Sequence, residues 1–246
     1  MVWSKQTSPG DAFNSSCRAD RENCRKEDGP DHDYGSSAIL VAFPDGRDVL
    51  LAGQKSGIVY ALDPSRKGEV LWQVRVGKGG LTGGVQWGMA SDGQRVYAAV
   101  SDAGRTRPTD PFDVRRYIPD PSVGGGLTAL RIVDGSTAWR VAAAPCSEEG
   151  ASSGCSPAQP AAVTAIPGVV FSGSLDGHLR AFSTEDGTLL WDFDTVRDFH
   201  TVNGVKAKGG GPGAVIVNGM VLVNYGYARF GGMPGNVLLA FAPEQP

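Results

Sequence analysis

Four short apolar runs follow one another near the start of the chain: Ser37-Ala38-Ile39-Leu40-Val41-Ala42-Phe43, Val49-Leu50-Leu51-Ala52-Gly53, Gly57-Ile58-Val59-Tyr60-Ala61-Leu62-Asp63 and Val70-Leu71-Trp72-Gln73-Val74. Each is too brief for a helix and is rich in the β-branched and aromatic residues that fit a pleated, half-buried surface. Pro44-Asp45-Gly46 and Lys67-Gly68 lie between runs, and such glycines supply the positive φ that tight hairpins need. The segment therefore predicts one antiparallel sheet of four strands.

The same order returns three times. A second unit has Val85 to Ala90, Arg95 to Val100, Gly126 to Ile132, an Asp134-Gly135 turn and Ala138-Trp139-Arg140-Val141. A third has Ala161 to Ala165, Val169 to Ser172, His178 to Phe182, Asp186-Gly187 and Leu189-Leu190-Trp191-Asp192-Phe193. The fourth has Ala214 to Val217, Asn218-Gly219, Val221 to Asn224 and Val237 to Phe241. Tandem four-stranded units arranged radially make a β-propeller, with blades expected at 36–77, 82–143, 160–196 and 212–243. Trp3 takes the place that Trp72, Trp139 and Trp191 hold, so residues 1–6 read as an orphan fourth strand. That strand either closes a four-bladed ring or marks the chain as a segment of a larger propeller, since unclosed edges invite aggregation.

Composition agrees with an all-β chain. Of 246 residues 41% are apolar, enough for a substantial core, while 35 Gly and 16 Pro leave little room for long helices. A net charge of −3 provides no long-range field for nucleic acid or an anionic membrane. No apolar run approaches the 18 or so residues of a membrane helix. Met1-Val2-Trp3-Ser4-Lys5 lacks the charged-then-apolar layout of a signal peptide, so the sequence reads as soluble and without an address.

Cys17 and Cys24, and Cys146 and Cys155, form two close pairs in polar, Gly- and Ser-rich sequence. Four cysteines allow three connectivities, and the local pairing closes loops that are geometrically easy. Two disulfides imply an oxidising compartment. Zinc is the competing reading, but these spacings are wider than those of zinc motifs and His32, His178 and His200 are scattered.

The run Ala61-Leu62-Asp63, a glycine turn and Trp72, echoed by Ala181-Phe182, Asp186-Gly187 and Trp191, resembles the tryptophan-docking repeat of quinoprotein dehydrogenases. Members of that family are eight-bladed propellers holding pyrroloquinoline quinone (PQQ). Gln54-Lys55-Ser56-Gly57 looks like the strand end that carries a cation to the quinone, and Phe171-Ser172-Gly173-Ser174-Leu175-Asp176-Gly177 like a late blade. Tyr225-Gly226-Tyr227 through Gly231-Gly232-Met233-Pro234-Gly235 looks like a glycine-rich turn near the family's C-terminus. With Val202-Asn203-Gly204-Val205-Lys206, these make polyvinyl alcohol dehydrogenase the most similar branch, and the chain resembles about the C-terminal half of its propeller, roughly four of eight blades.

The resemblance implies a set of site residues. Asp33, in Asp31-His32-Asp33-Tyr34, would be the catalytic base and a calcium ligand, a carboxylate suiting both roles; Asp11 and Asp31 are fallbacks. Lys55 would bind the quinone's carbonyl edge, with Gln86, Trp87, Asn203 and Lys206 lining the cofactor pocket. The family's other calcium ligands belong to blades outside this chain, so the metal site is expected to be incomplete. Residues 101–125, containing Arg105, Arg107, Arg115 and Arg116, form the longest insertion, and long loops in compact domains are more often functional than idle.

The resemblance thus implies a PQQ-dependent alcohol dehydrogenase that acts on small or polymeric alcohols and passes electrons to cytochrome c or a similar acceptor, and together with the expected disulfides it implies the periplasm. Turnover by this polypeptide alone is expected to be small. The alternatives are a non-catalytic scaffold built from the same repeats, and a closed four-bladed module with its own ligand.

Overall fold

The computed structural model describes residues 1–14, 29–107, 109, 118–147, 154–196, 199, 213–225 and 237–243. Seventeen strands and no helix occur among them, and no helix there is long and apolar enough to cross a membrane.

The first sheet runs in chain order: β1 (Ile39–Ala42), β2 (Asp48–Gly53), β3 (Ile58–Asp63) and β4 (Glu69–Arg75). The second contains β5 (Ala90–Ser91) and β6 (Arg95–Val100), then β9 (Gly126–Arg131) and β10 (Thr137–Val141). A two-stranded ribbon, β7 (Arg105–Thr106) and β8 (Ile118–Pro119), leaves it between β6 and β9. The third sheet is β11 (Thr164–Ile166), β12 (Val169–Gly173), β13 (His178–Ser183) and β14 (Leu189–Asp194). The fourth is β15 (Val215–Val217), β16 (Met220–Tyr225) and β17 (Val237–Phe241). All pairings are antiparallel, the arrangement of an incomplete propeller.

The core is divided into three seams between successive sheets. Val49, Leu51, Val59 and Ala61 of the first meet Val96, Ala98, Val100 and Leu130 of the second. Tyr97, Ala129 and Trp139 meet Val170 and Phe182 of the third, and Phe171, Leu179 and Ala181 meet Val223 and Val237 of the fourth. Burial of each Val or Leu in such a seam contributes about 1.5–3 kcal/mol.

Tryptophans tie the seams. Trp72 Nε1 donates to the Ile132 carbonyl at 2.8 Å, and Trp139 Nε1 donates to the Thr184 carbonyl at 3.0 Å. Their rings lie on Gly135 and Gly187, where an added Cβ would come within 2.8 Å of the indole. Trp191 instead meets Phe241 of the fourth sheet edge-on, with ring centroids 5.0 Å apart.

Three expectations are corrected. Residues 1–6 form no strand, although Trp3 lies on Gly68 as Trp72 lies on Gly135. The first strand of the second sheet is Ala90–Ser91 rather than Val85 to Ala90, because Gly84 and Gly88 turn the chain with φ of 63° and 143°. Val85 is fully buried and its amide donates to Gln54, outside its own sheet. The first strand of the third sheet starts at Thr164 rather than Ala161.

The Cys146–Cys155 disulfide is present, with Cα atoms 6.2 Å apart. Cys17 and Cys24 lie outside the described residues, as do Asn203 and Lys206.

Candidate functional site: a lysine between two carboxylates

Lys55 sits in the tight turn from β2 to β3. The turn closes through Gln54 N to Ile58 O and Gly57 N to Gln54 O, both 3.0 Å, and Gly57 has a φ of 78°. A Cβ on Gly57 would lie 2.4 Å from the Gly77 carbonyl oxygen, so only glycine lets the two segments approach. The Lys55 amide donates to the Asp33 carbonyl at 3.0 Å, which docks the Asp31–Asp33 segment on this turn.

The side chains converge as well. Lys55 Nζ donates to Asp33 Oδ2 at 2.9 Å and to Asp31 Oδ2 at 3.2 Å. The lysine and Asp31 side chains are only 16% and 7% exposed, whereas Asp33 is 64% exposed. These environments move the two carboxyls apart. Burial, reinforced by the Asp33 carboxyl, pushes Asp31 above its usual value, and the hydrogen bond from Lys55 holds Asp33 below it. Burial alone would lower Lys55, but its bonds to Asp33 and Asp31 outweigh that and raise it. Asp11 accepts hydrogen bonds from the amides of Asp31 and His32, fixing the loop in which Asp31 has a φ of 70°.

A second loop completes the site. A Cβ on Gly84 would lie 2.4 Å from the Lys55 carbonyl oxygen, and one on Gly35 would lie 2.2 Å from that of Gln86, so glycines allow these backbones to touch. Gln86 is buried and donates from Nε2 to the Gly83 carbonyl at 2.6 Å. Asp102 clamps the loop by accepting from the amides of Lys78 (2.6 Å), Gly79 (3.1 Å) and Gly84 (2.8 Å).

Together these segments surround a cavity of about 370 Å³. Its walls are apolar at Leu81, Trp87, Pro160 and Leu175 and polar at Thr82, Gln86 and Ser101, with Asp31, Lys55 and Arg105 as the charged groups. A neighbouring polar cleft of about 350 Å³ is lined by Thr7, Ser8, Asp11, His32, Asp33, Tyr34 and Gln54. Thr7, Tyr34, Gln54 and Ser8 are joined there by hydrogen bonds. Lys55 reaches into the first cavity and Asp33 into the second.

Of the residues singled out from sequence, Lys55, Gln86 and Trp87 share one cavity and Asp33 stands beside it. Asp31, Asp102 and Arg105 are additional members of the site; Asp31 had been only a fallback and Arg105 only part of an insertion. The largely apolar lining and the two cations, Lys55 and Arg105, fit an aromatic polyanion of PQQ's kind. The donors for calcium do not fit in the same way. Among the described residues no group of three or more His, Cys, Asp or Glu side chains is placed to hold a metal, and Asp31 and Asp33 both face an ammonium.

Comparison with known proteins agrees with this architecture. The PQQ-repeat family model described as outer membrane protein assembly factor BamB matches residues 55–220. Polyvinylalcohol dehydrogenase from a Pseudomonas species is 42% identical over 98% of the chain, and that from Sphingopyxis sp. strain 113P3 is 36% identical over 98%. The chain spans only 37% and 38% of those relatives' lengths. In fold it is similar to a europium-containing methanol dehydrogenase (TM-score 0.54, 13% identity, 86% of this chain and 40% of that one). It is likewise similar to the quinohemoprotein alcohol dehydrogenase of Comamonas testosteroni (TM-score 0.52, 17% identity, 89% and 40%). The chain therefore belongs to the PQQ-repeat family of β-propellers.

Proposed function

We propose that this chain is the part of a PQQ-dependent alcohol dehydrogenase that supplies the base and the quinone-polarising cation. The observation that carries the reading is the Asp33–Lys55 contact at 2.9 Å, with the two residues opening into adjacent cavities. Bound PQQ would supply a two-electron acceptor for the carbinol carbon. Lys55 would hold its ammonium at the quinone edge, and Asp31 orients that ammonium from the buried side. Asp33 stays ionised because of Lys55 and is open to solvent, so it is placed to take the hydroxyl proton of an alcohol in the polar cleft. Trp87, Leu81 and Leu175 would exclude water from the cavity once it is filled, and a dry site strengthens each charge–dipole contact within it. Asn203 and Lys206 are proposed as further pocket residues on the resemblance alone.

Secondary or polymeric alcohols are the proposed substrates, cytochrome c or a similar protein the acceptor, and the periplasm the compartment. The Cys146–Cys155 disulfide supports an oxidising location. Calcium is proposed only together with ligands from beyond this chain. Titration of the chain with PQQ, followed by Trp fluorescence, tests the reading: saturable binding is expected, and Lys55→Met should weaken it at least tenfold. Dye-linked oxidation of secondary alcohols with PQQ and calcium should give little or no turnover from the chain alone. Absence of any PQQ binding would favour the scaffold alternative, to which the description of the matching family model also points.

A further inference from the structure

The third sheet repeats the turn that places Lys55. Ser174 N donates to the His178 carbonyl and Gly177 N to the Ser174 carbonyl, both at 3.1 Å, as Gln54, Gly57 and Ile58 do in the first sheet. Thr195 N donates to the Gly177 carbonyl just as Val76 N donates to that of Gly57. Leu175 therefore stands where Lys55 stands in the first sheet, and both line the cavity of about 370 Å³. The Leu175 amide donates to the Ala158 carbonyl at 2.9 Å, as the Lys55 amide donates to that of Asp33. Residues 156–160 are thus the counterpart of the segment that carries Asp31 and Asp33, and Pro160 is itself part of the cavity wall.

Each of these irregular segments has its own tether. Asp11 accepts from the amides of Asp31 and His32, and Asp102 from those of Lys78, Gly79 and Gly84. Residues 155–161 are all buried yet belong to no strand. Gln159 N reaches the Val100 carbonyl at 3.4 Å, and Gln159 Oε1 accepts from Ser172 Oγ at 3.0 Å. The tether here is covalent, because Cys155, 4% exposed, is joined to Cys146. Cys146 N donates to the Pro121 carbonyl at 3.0 Å, and Asp120 N to the Gly104 carbonyl at 2.9 Å, next to the pairing of Arg105 with Pro119. One cross-link therefore connects the wall formed by Pro160 and Leu175 with the ribbon that carries Arg105.

We propose that the Cys146–Cys155 disulfide is a redox-sensitive clamp on this cavity. Oxidised, it holds residues 155–160 against the Leu175 turn and keeps the Arg105 ribbon in place. A dithiol reductant opens it by thiol–disulfide exchange. Cys146 is half-buried and Cys155 buried, so attack falls on Cys146. The reductant's thiolate bonds to the Cys146 sulfur, and the Sγ–Sγ bond breaks with its electron pair on Cys155. The second thiolate then displaces Cys146 as the reductant closes its own disulfide. Two electrons and two protons have passed from the dithiol to the two cysteines. The cysteines are nine positions apart, and the freedom that the cross-link denies this loop returns on reduction. A buried segment without a ladder then opens at low cost, and ligand affinity falls with the fraction of chains whose cavity stays closed.

Amide hydrogen exchange on the whole chain, with and without dithiothreitol, tests the clamp without any ligand. Exchange at Gln159 and Leu175 should rise about tenfold or more on reduction, while Val59 and Ala61 in the first sheet stay unchanged. Reoxidation should restore slow exchange. A chain carrying Cys146→Ser and Cys155→Ser should match the reduced wild type, and dithiothreitol should add nothing although Cys17 and Cys24 remain. PQQ affinity is the second readout, and this arm rests on the quinone reading. It should fall several-fold in the double variant and lose part of its salt dependence as the Arg105 ribbon loosens. Val49→Ala, a buried site at the end of β2 away from the Lys55 turn, should lower the urea midpoint without either change, which separates the clamp from general stability. Slow exchange at Gln159 and Leu175 in the reduced chain overturns the proposal. So does faster exchange with unaltered PQQ affinity, or a dithiothreitol response that persists in the double variant. A wild-type chain that binds no PQQ removes the quinone reading, and the exchange result alone then decides the clamp.

Discussion

The Lys55 ammonium lies 2.9 Å from the Asp33 carboxylate, at the boundary between an apolar cavity and a polar cleft. Removing the lysine leaves Asp31, only 7% exposed, as a buried carboxyl without its cation. Lys55→Met should therefore lower stability in urea melts at neutral pH by about 1–3 kcal/mol, the usual cost of leaving a buried polar group unpaired. Asp33→Asn should cost less, because that side chain is mostly in water and its pairing is screened. Equal losses in the two variants would argue against the burial difference between Asp31 and Asp33.

The same trio sets a pH dependence with opposed signs. Asp33 lies below its usual value, so its contribution is present above the unfolded value near 3.8 and disappears as pH falls through the folded one. Lys55 is raised, so its contribution holds below about 10.5 and is lost as pH climbs through the folded value. Asp31 is raised and acts the other way, binding its proton more tightly when folded and adding stability as pH drops. Urea midpoints from pH 3 to 11 should show Asp33→Asn with a shallower acid limb than wild type and Asp31→Asn with a steeper one. Lys55→Met should flatten the alkaline limb.

Asp102 is a positioning residue. It has a φ of 40° and accepts three backbone N–H bonds, which tie the Lys78–Gly84 loop beneath the Lys55 turn. Hydrogen bonds to a charged acceptor are worth about 1.5–3 kcal/mol each. Asp102→Ala should lower the melting temperature and weaken PQQ binding together, with Asp102→Asn recovering part of both. Increased amide exchange at Gly79 and Gly84 distinguishes a loosened loop from a general loss of fold.

The seams make a separate prediction. Gly135 has a φ of 75°, and a Cβ there would lie 2.8 Å from the Trp72 ring. Gly135→Ala should destabilise the chain by about 1–3 kcal/mol through strain and overpacking. Trp72→Ala should cost about 3–5 kcal/mol, with the Ile132 carbonyl losing its indole donor. Chemical denaturation of the two variants gives the comparison.

The strands were legible because their information is local: apolar runs bounded by Asp-Gly turns predict hairpins wherever they occur. Lys55 was legible for the same reason, as a cation at a strand end before Ser56-Gly57. The stretch from Val85 to Ala90 misled because Val85 and Met89 are buried in the seam between the first two sheets while the Val85 amide bonds to the Gln54 carbonyl rather than into a ladder of its own sheet. The roles of Asp31 and Asp102 depend on left-handed backbone at single non-glycine residues and on partners about 20 positions away. No periodicity announces such contacts. Arg105 could be counted in an insertion, but only the β7–β8 ribbon brings it to the cavity.

Arg105 accordingly supports the last prediction. PQQ carries carboxylates as well as a quinone edge, and Lys55 is already engaged by two carboxylates of its own. Among the charged residues lining the cavity, Arg105 is the cation without an ion pair to a described residue. A planar guanidinium binds carboxylate in a two-pronged fashion that an ammonium does not reproduce. Arg105→Ala should weaken PQQ binding several-fold and flatten its dependence on salt, while Arg105→Lys recovers the salt dependence better than the affinity. Because Arg105 is exposed on a short ribbon, neither variant should shift the unfolding midpoint. If Arg105→Ala binds PQQ with wild-type affinity and salt dependence, the cavity's cationic work falls to Lys55 alone.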